Sequence, residues 1–109
     1  MGKVDKVNKL VEKKKTDKLT ALIKDKDKEV RLAAIEGLGK VPENEDSLNT
    51  LIKCMENDSD ADIRKAAAVT LGDSEGDYVE THLRYCLSHE KDESVLAAIR
   101  ESLAKIKGR

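Results

Sequence analysis

The chain has no phenylalanine and no tryptophan, and only two tyrosines in 109 residues. Its core must therefore be built from Leu, Ile, Val and Ala, which suits close helix packing. The same shortage leaves few of the Trp and Tyr anchors that dominate binding hot spots. No run of about 18 apolar residues occurs, so no membrane-spanning helix is expected. Charge of one sign is also missing. Lys and Arg number 21 against 22 Asp and Glu, a net charge of -1. This balance argues against a general phosphate-binding surface, which needs clustered positive charge, so no nucleic-acid or membrane partner is expected. The opening MGKVDKVNKLVEKKK has no apolar signal core. Gly2 invites N-myristoylation, but Lys6 stands where Ser or Thr is required. A cytoplasmic location is the expectation.

What the chain does have is one phrase written three times. It reads DKEVRLAAIEGLG from Asp27, DADIRKAAAVTLG from Asp60 and DESVLAAIRESLA from Asp92, at spacings of 33 and 32 residues. A period of that size signals stacked supersecondary units, each contacting only its neighbours. Asp27, Asp60 and Asp92 each stand three residues before Val30, Ile63 and Val95, where a carboxylate can cap the first turn of a helix. Apolar residues then recur at offsets of 0, 3, 4 and 8, one face of a helix. Gly39 and Gly72 close the first two of these helices, where a left-handed residue is often needed. Pro42 prevents continuation of the first. The third runs on to about Gly108.

A shorter helix precedes each phrase, carrying Leu19, Leu22 and Ile23, then Leu48, Leu51, Ile52 and Met55, then Val79, Leu83 and Leu87. Thr16 and Asp77 are the expected caps of the first and third. Val4, Val7, Leu10 and Val11 mark one further amphipathic helix over residues 3–14, the second helix of an incomplete leading repeat. The expected organisation is a single domain, 1–109, with that helix and repeats at about 16–40, 46–73 and 77–107. The fold class is all-α, and seven helices are counted.

Two of the phrases, Asp25-x-Asp27-x-x-Val30-Arg31-x-Ala33-Ala34 through Leu38-Gly39 and Asp58-x-Asp60-x-x-Ile63-Arg64-x-Ala66-Ala67 through Leu71-Gly72, resemble the short HEAT-like repeats of prokaryotic proteins. The third copy departs from them, with Glu90 for the first Asp and Leu96 for the Arg. The resemblance covers roughly residues 16–106. It implies a right-handed α-α superhelix of about three hairpins. It also implies that the turn Asp and the following Arg of neighbouring repeats pair along the stack, so that Asp25, Asp58, Arg31 and Arg64 are structural. It does not by itself specify a function.

Candidate chemistry is sparse. His82, Cys86 and His89 fall at i, i+4 and i+7 on one side of a helix, a spacing able to hold zinc. Cys54 and Ala21 occupy the equivalents of Cys86 in earlier repeats, which marks a small-residue packing position instead. Cys54 and Cys86 lie on corresponding points of helices about 8–10 Å apart, beyond the roughly 7 Å that a disulfide spans between Cα atoms. Two free thiols are expected, as in a reducing compartment. His89-Glu90 is similar to the iron-holding pairs of HEAT-type deoxyhypusine hydroxylases, but it stands alone. Lys13-Lys14-Lys15 is flanked by Glu12 and Asp17 and reads as a solvated helix end. HEAT-like DNA glycosylases would call for a basic groove with aromatic residues. The chain has no Gly-rich phosphate loop and no nucleophile elbow. No catalytic residue, cofactor or metal site is expected.

The sequence thus points to a non-catalytic adaptor that binds another protein or peptide segment along the outward face of its second helices. The residues assigned to that strip are Leu32, Ile35, Glu36, Lys65, Val69, Arg100 and Glu101, with Ala68 and Ala97 beside them. The alternative implied by the resemblance is a subunit of a HEAT-like tetrapyrrole (bilin) lyase, for which the scarcity of aromatic residues is unfavourable. A monomer is expected, with weak self-association through the C-terminal helix as the competing outcome.

Overall fold

A computed structural model describes residues 2–74 and 76–108. Among the described residues there are seven helices and no strand: α1 (Lys3–Glu12), α2 (Thr16–Leu22), α3 (Lys28–Leu38), α4 (Glu45–Asn57), α5 (Ala61–Leu71), α6 (Asp77–His89) and α7 (Glu93–Lys107). Each helix α2, α4 and α6 packs against its successor, giving three hairpins. The hairpins stack so that α1, α3, α5 and α7 form one layer and α2, α4 and α6 the other. The molecule measures 40 × 28 × 18 Å.

The aspartate caps form as the repeat predicts. Asp27, Asp60 and Asp92 accept from the backbone amides of Glu29, Asp62 and Ser94, each at 2.9 Å. Two other expected caps are displaced by one residue. Thr16 and Asp77 are the first residues of their helices, and Lys15 and Gly76 hold the cap positions. The Thr16 hydroxyl instead donates to the Pro42 carbonyl at 2.8 Å, tying α2 to the turn after α3. Helix α1 ends at Glu12, two residues short of expectation, and the turn that follows places Lys14 at φ 54°.

The core lies between the layers and consists of aliphatic side chains: Leu19, Ile35, Met55, Ile63, Leu71, Leu83 and Ile99 are fully enclosed. Close approach of the second helices depends on small residues at one recurring place. Gly37, Thr70 and Ser102 are equivalent by the repeat. Thr70 Oγ1 donates to the Ile35 carbonyl at 3.3 Å and Ser102 Oγ to the Ala68 carbonyl at 2.6 Å, so each hydroxyl pins its helix to the one before. At Gly37 the neighbour is α1. A Cβ there would meet Val11 at 3.0 Å.

Gly39 and Gly72 end their helices in right-handed conformations, with φ of -72° and -64°. The left-handed cap expected of them does not form. Glycine is needed at Gly72 for space, because a Cβ would lie 2.5 Å from Ser102 Oγ and 3.1 Å from its Cα. Ala34 and Ala67 are the fully buried alanines of the paired phrase, while Ala33 and Ala66 are partly exposed.

Candidate interaction surfaces

The turns between paired helices define what is structural. Asp25 and Asp58 accept from the Asp27 and Asp60 amides, both at 2.8 Å. Glu90 fills the same place in the third repeat and accepts from the Asp92 amide at 3.1 Å. Arg64 reaches across to that next turn. Its Nε and a terminal nitrogen donate to the two Glu90 oxygens at 3.0 and 3.2 Å, and its other terminal nitrogen donates to the Asp58 carbonyl at 2.8 Å. Burial pushes the Glu90 carboxyl up. The Arg64 guanidinium and the Asp92 and Lys91 amides outweigh that and hold it below its usual range. Arg31 differs: it donates to the Asp25 and Lys26 carbonyls of its own turn, and its Nε is buried without a hydrogen-bond partner. The residue of the second repeat that corresponds to Glu90 is Asp58, one methylene shorter. Inter-repeat pairing is therefore seen at Arg64 and not at Arg31.

The second-helix strip divides into rows set by the repeat. Glu36, Val69 and Glu101 are equivalent and all exposed; Leu32, Lys65 and Ala97 form a second row, in which Leu32 is half-buried against the core. The third row is Ile35, Ala68 and Arg100. Here the outward placement of Ile35 is corrected: Ile35 and Ala68 are 0% exposed. The reason is the stack itself, since the next second helix lies over that row and bonds to both carbonyls. Arg100, on the last described helix, is exposed. The remaining strip carries charges of both signs around Val69, which is 46% exposed.

The first-helix layer presents grooves. Between α4 and α6 lies one of about 370 Å³, lined by Glu56, His82, Tyr85, Cys86, His89 and Glu90 among others. Between α2 and α4 lies one of about 390 Å³ whose lining includes Lys24, Asp46, Lys53, Cys54 and Asp58. His82 Nδ1 donates to Glu56 Oε2 at 2.9 Å, and His89 Nδ1 donates to the Tyr85 carbonyl at 2.8 Å. Glu90 is committed to Arg64. Among the described residues no group of three His, Cys, Asp or Glu is gathered closely enough to hold a metal ion. Cys54 and Cys86 are both free thiols. Burial pushes both thiols up, and Cys86, with Glu56 and Glu90 near by, reaches about 11, which keeps it protonated and unreactive at neutral pH. The tyrosines that flank the histidines, Tyr78 and Tyr85, were not singled out by residue type; the 4-3-4 spacing of Tyr78, His82, Tyr85 and His89 is the signal that places them on one face.

Stacked antiparallel helix pairs at a fixed period define an α-solenoid. A family model described as HEAT repeats matches residues 16–107, and the chain belongs to the HEAT repeat family. Comparison with curated proteins and with solved structures returned no match. HEAT repeats commonly mediate protein–protein contacts and are typically non-catalytic scaffolds. No helix among the described residues is long and apolar enough to cross a membrane.

Proposed function

We propose that the chain is a non-catalytic adaptor that receives a segment of another protein on the outward face of α3, α5 and α7. The observation that carries this reading is the pair of exposed rows that the repeat aligns across the three helices. Glu36, Val69 and Glu101 make one row, and Lys65 lies in the other, with Arg100 at the end of the stack. A mixed charged and apolar strip of this kind supports recognition of a helical or extended segment. Leu32 contributes only its exposed part, and Ile35 supports the strip from beneath. The lining of the strip holds no nucleophile with an adjacent base, so recognition rather than chemistry is the role it favours.

Exchange of charge at both cationic positions tests the assignment. The K65E/R100E double variant should lose most of the partner recovered from a cell extract by the wild-type chain, quantified by mass spectrometry. Its helicity and melting temperature should stay nearly the same, because both side chains are exposed. Equal recovery by the variant would remove the strip as the binding face.

A further inference from the structure

The chain's only two aromatic residues of the Phe, Trp and Tyr class are both exposed, at 54% for Tyr78 and 53% for Tyr85. A fold built without large rings has left these out of its core, although aromatic side chains normally supply buried area. Both lie on α6, and each ring meets an imidazole one turn on. Tyr78 touches His82 edge-on with centroids 4.9 Å apart, and Tyr85 stacks on His89 at 4.0 Å. The repeat does not call for rings here: 32 residues earlier, the same positions of α4 hold Asp46, Thr50, Lys53 and Asn57.

The groove beside this ridge is anionic. Glu56 and Glu90 line it, and among the described residues no Lys or Arg does. Glu90 is neutralised by Arg64, so Glu56 carries the groove's uncommitted charge. Its Oε2 accepts from His82, which leaves Oε1 for a second donor. The wider charge pattern has the same sense. Residues 1–40 contain 12 Lys and Arg against 7 Asp and Glu, whereas residues 41–109 contain 9 against 15.

We propose that the groove between α4 and α6 binds an arginine side chain carried by an extended segment of a partner protein, with the Tyr85–His89 stack and Glu56 as its two recognition elements. A guanidinium is planar and weakly hydrated, stacks on aromatic faces and directs paired N–H donors at a carboxylate. A ring pair beside a carboxylate in an open groove answers all of these properties. An ammonium would use the carboxylate but gain less from the stack. The neighbouring groove between α2 and α4 has the carboxylates of Asp46 and Asp58, but Lys24 and Lys53 stand beside them and no ring is among its described lining residues, so it lacks the stacking element. This site is on the opposite layer from the second-helix strip and stands or falls independently of it.

The test uses the full chain and a short peptide of alternating Gly and Arg, followed by amide shifts in NMR titration. Saturable shifts should be confined to the second half of α4 and to α6. Binding should weaken by about fivefold or more in Tyr85→Ala, the scale of one cation–π contact, and comparably in Glu56→Gln. The matching Gly-Lys peptide should bind more weakly than the Gly-Arg peptide. Unchanged affinity in Tyr85→Ala would reduce the effect to general attraction by the acidic half and overturn the site. Equal binding of the lysine peptide would overturn the arginine assignment. Sedimentation of the chain alone completes the test. A monomer at rising concentration supports a separate partner, whereas self-association abolished by Tyr85→Ala would give the groove to the lysines of a second copy and overturn the proposal.

Discussion

The two layers of the stack obey the repeat to different degrees. In the layer of α3, α5 and α7, equivalent residues do equivalent work: Thr70 and Ser102 each send a hydroxyl to the preceding helix, onto the carbonyls of Ile35 and Ala68. In the layer of α2, α4 and α6 the buried positions repeat but the outer ones do not. Asp46, Thr50, Lys53 and Asn57 on α4 give way to Tyr78, His82, Tyr85 and His89 on α6. A second helix is sandwiched between neighbours and against its own partner, so most of its surface is constrained by packing. The outer face of a first helix touches its neighbour through side-chain tips, as Tyr78 does with Asn49 and His82 with Glu56. Repetition therefore records the demands of stacking, and departure from it marks surface that is free to specialise. Five substitutions, in three experiments, probe this contrast, from the constrained centre outward.

The largest effect is expected at the middle of the constrained layer. Ala67 on α5 is 0% exposed and sits within the core. Ala67→Asp would place an unpaired carboxylate there, a penalty of several kcal/mol, about 3–5. A chain of this size has only about 5–15 kcal/mol in hand. Far-UV circular dichroism should show loss of most helicity at room temperature. A cooperative melt close to that of the wild type would mean that the layer is far more adaptable than its packing indicates. Tyr85→Ala on the outer face of α6 is the matched control, expected to shift stability by no more than about 0.5 kcal/mol.

A smaller effect separates two glycines that the sequence makes identical. Both end a second helix and both are right-handed, so alanine fits either backbone. At Gly72 a Cβ would press on Ser102, including its Cα at 3.1 Å, whereas at Gly39 the nearest side-chain atom is Thr70 Cγ2 at 3.4 Å. Gly72→Ala should cost about 1–3 kcal/mol through overpacking. Gly39→Ala should fall within about 0.5 kcal/mol of neutral, helped by the reduced freedom of the unfolded chain. Urea titration measures both. Equal effects at the two sites would show that the α5–α7 contact relaxes as readily as the α3–α5 contact.

These glycines also show where legibility in the sequence ended. The caps at Asp27, Asp60 and Asp92 and the apolar face from Val30, Ile63 and Val95 were readable because each depends on residues within one helix. Gly72 was readable as a terminator but not as a contact, since its reason lies on Ser102, thirty residues on. Ile35 was misplaced for the same kind of reason. Its burial is completed across the stack, where Thr70 of the next second helix bonds to its carbonyl. Residue type alone makes Thr16 a cap, whereas its hydroxyl serves a tertiary bond to Pro42. On α6 the histidines and the cysteine were weighed as ligands. The tyrosines beside them enter the sequence reading only as a scarcity, although scarcity makes their shared exposed face informative.

The smallest effect lies at the turn joining the two layers, and it carries a sign with pH. Glu90 is held below the ordinary carboxylate range: burial opposes ionisation, but Arg64 and the Asp92 and Lys91 amides favour it more strongly. A carboxylate whose folded value is depressed adds stability that is fully present above its unfolded value, about 4.3 for Glu. That stability is lost as pH falls through the folded value. Asp25, Asp60 and Asp92 are lowered as well, chiefly through the Asp27 amide, Lys28 and Ser94 respectively. All four act in the same direction, so the wild type should lose stability below about pH 4.5 and keep a plateau above it. Glu90→Gln retains an acceptor for Arg64 without the charge. It should lower the plateau by about 1–1.5 kcal/mol, the difference between a hydrogen bond to a charged group and a neutral one. It should also make the acid limb shallower by removing one of the four contributors. Urea unfolding from pH 3 to pH 7 reads both quantities. If the variant kept the full acid slope while losing the plateau, the turn aspartates alone would account for the slope, and Glu90 would contribute through geometry rather than charge.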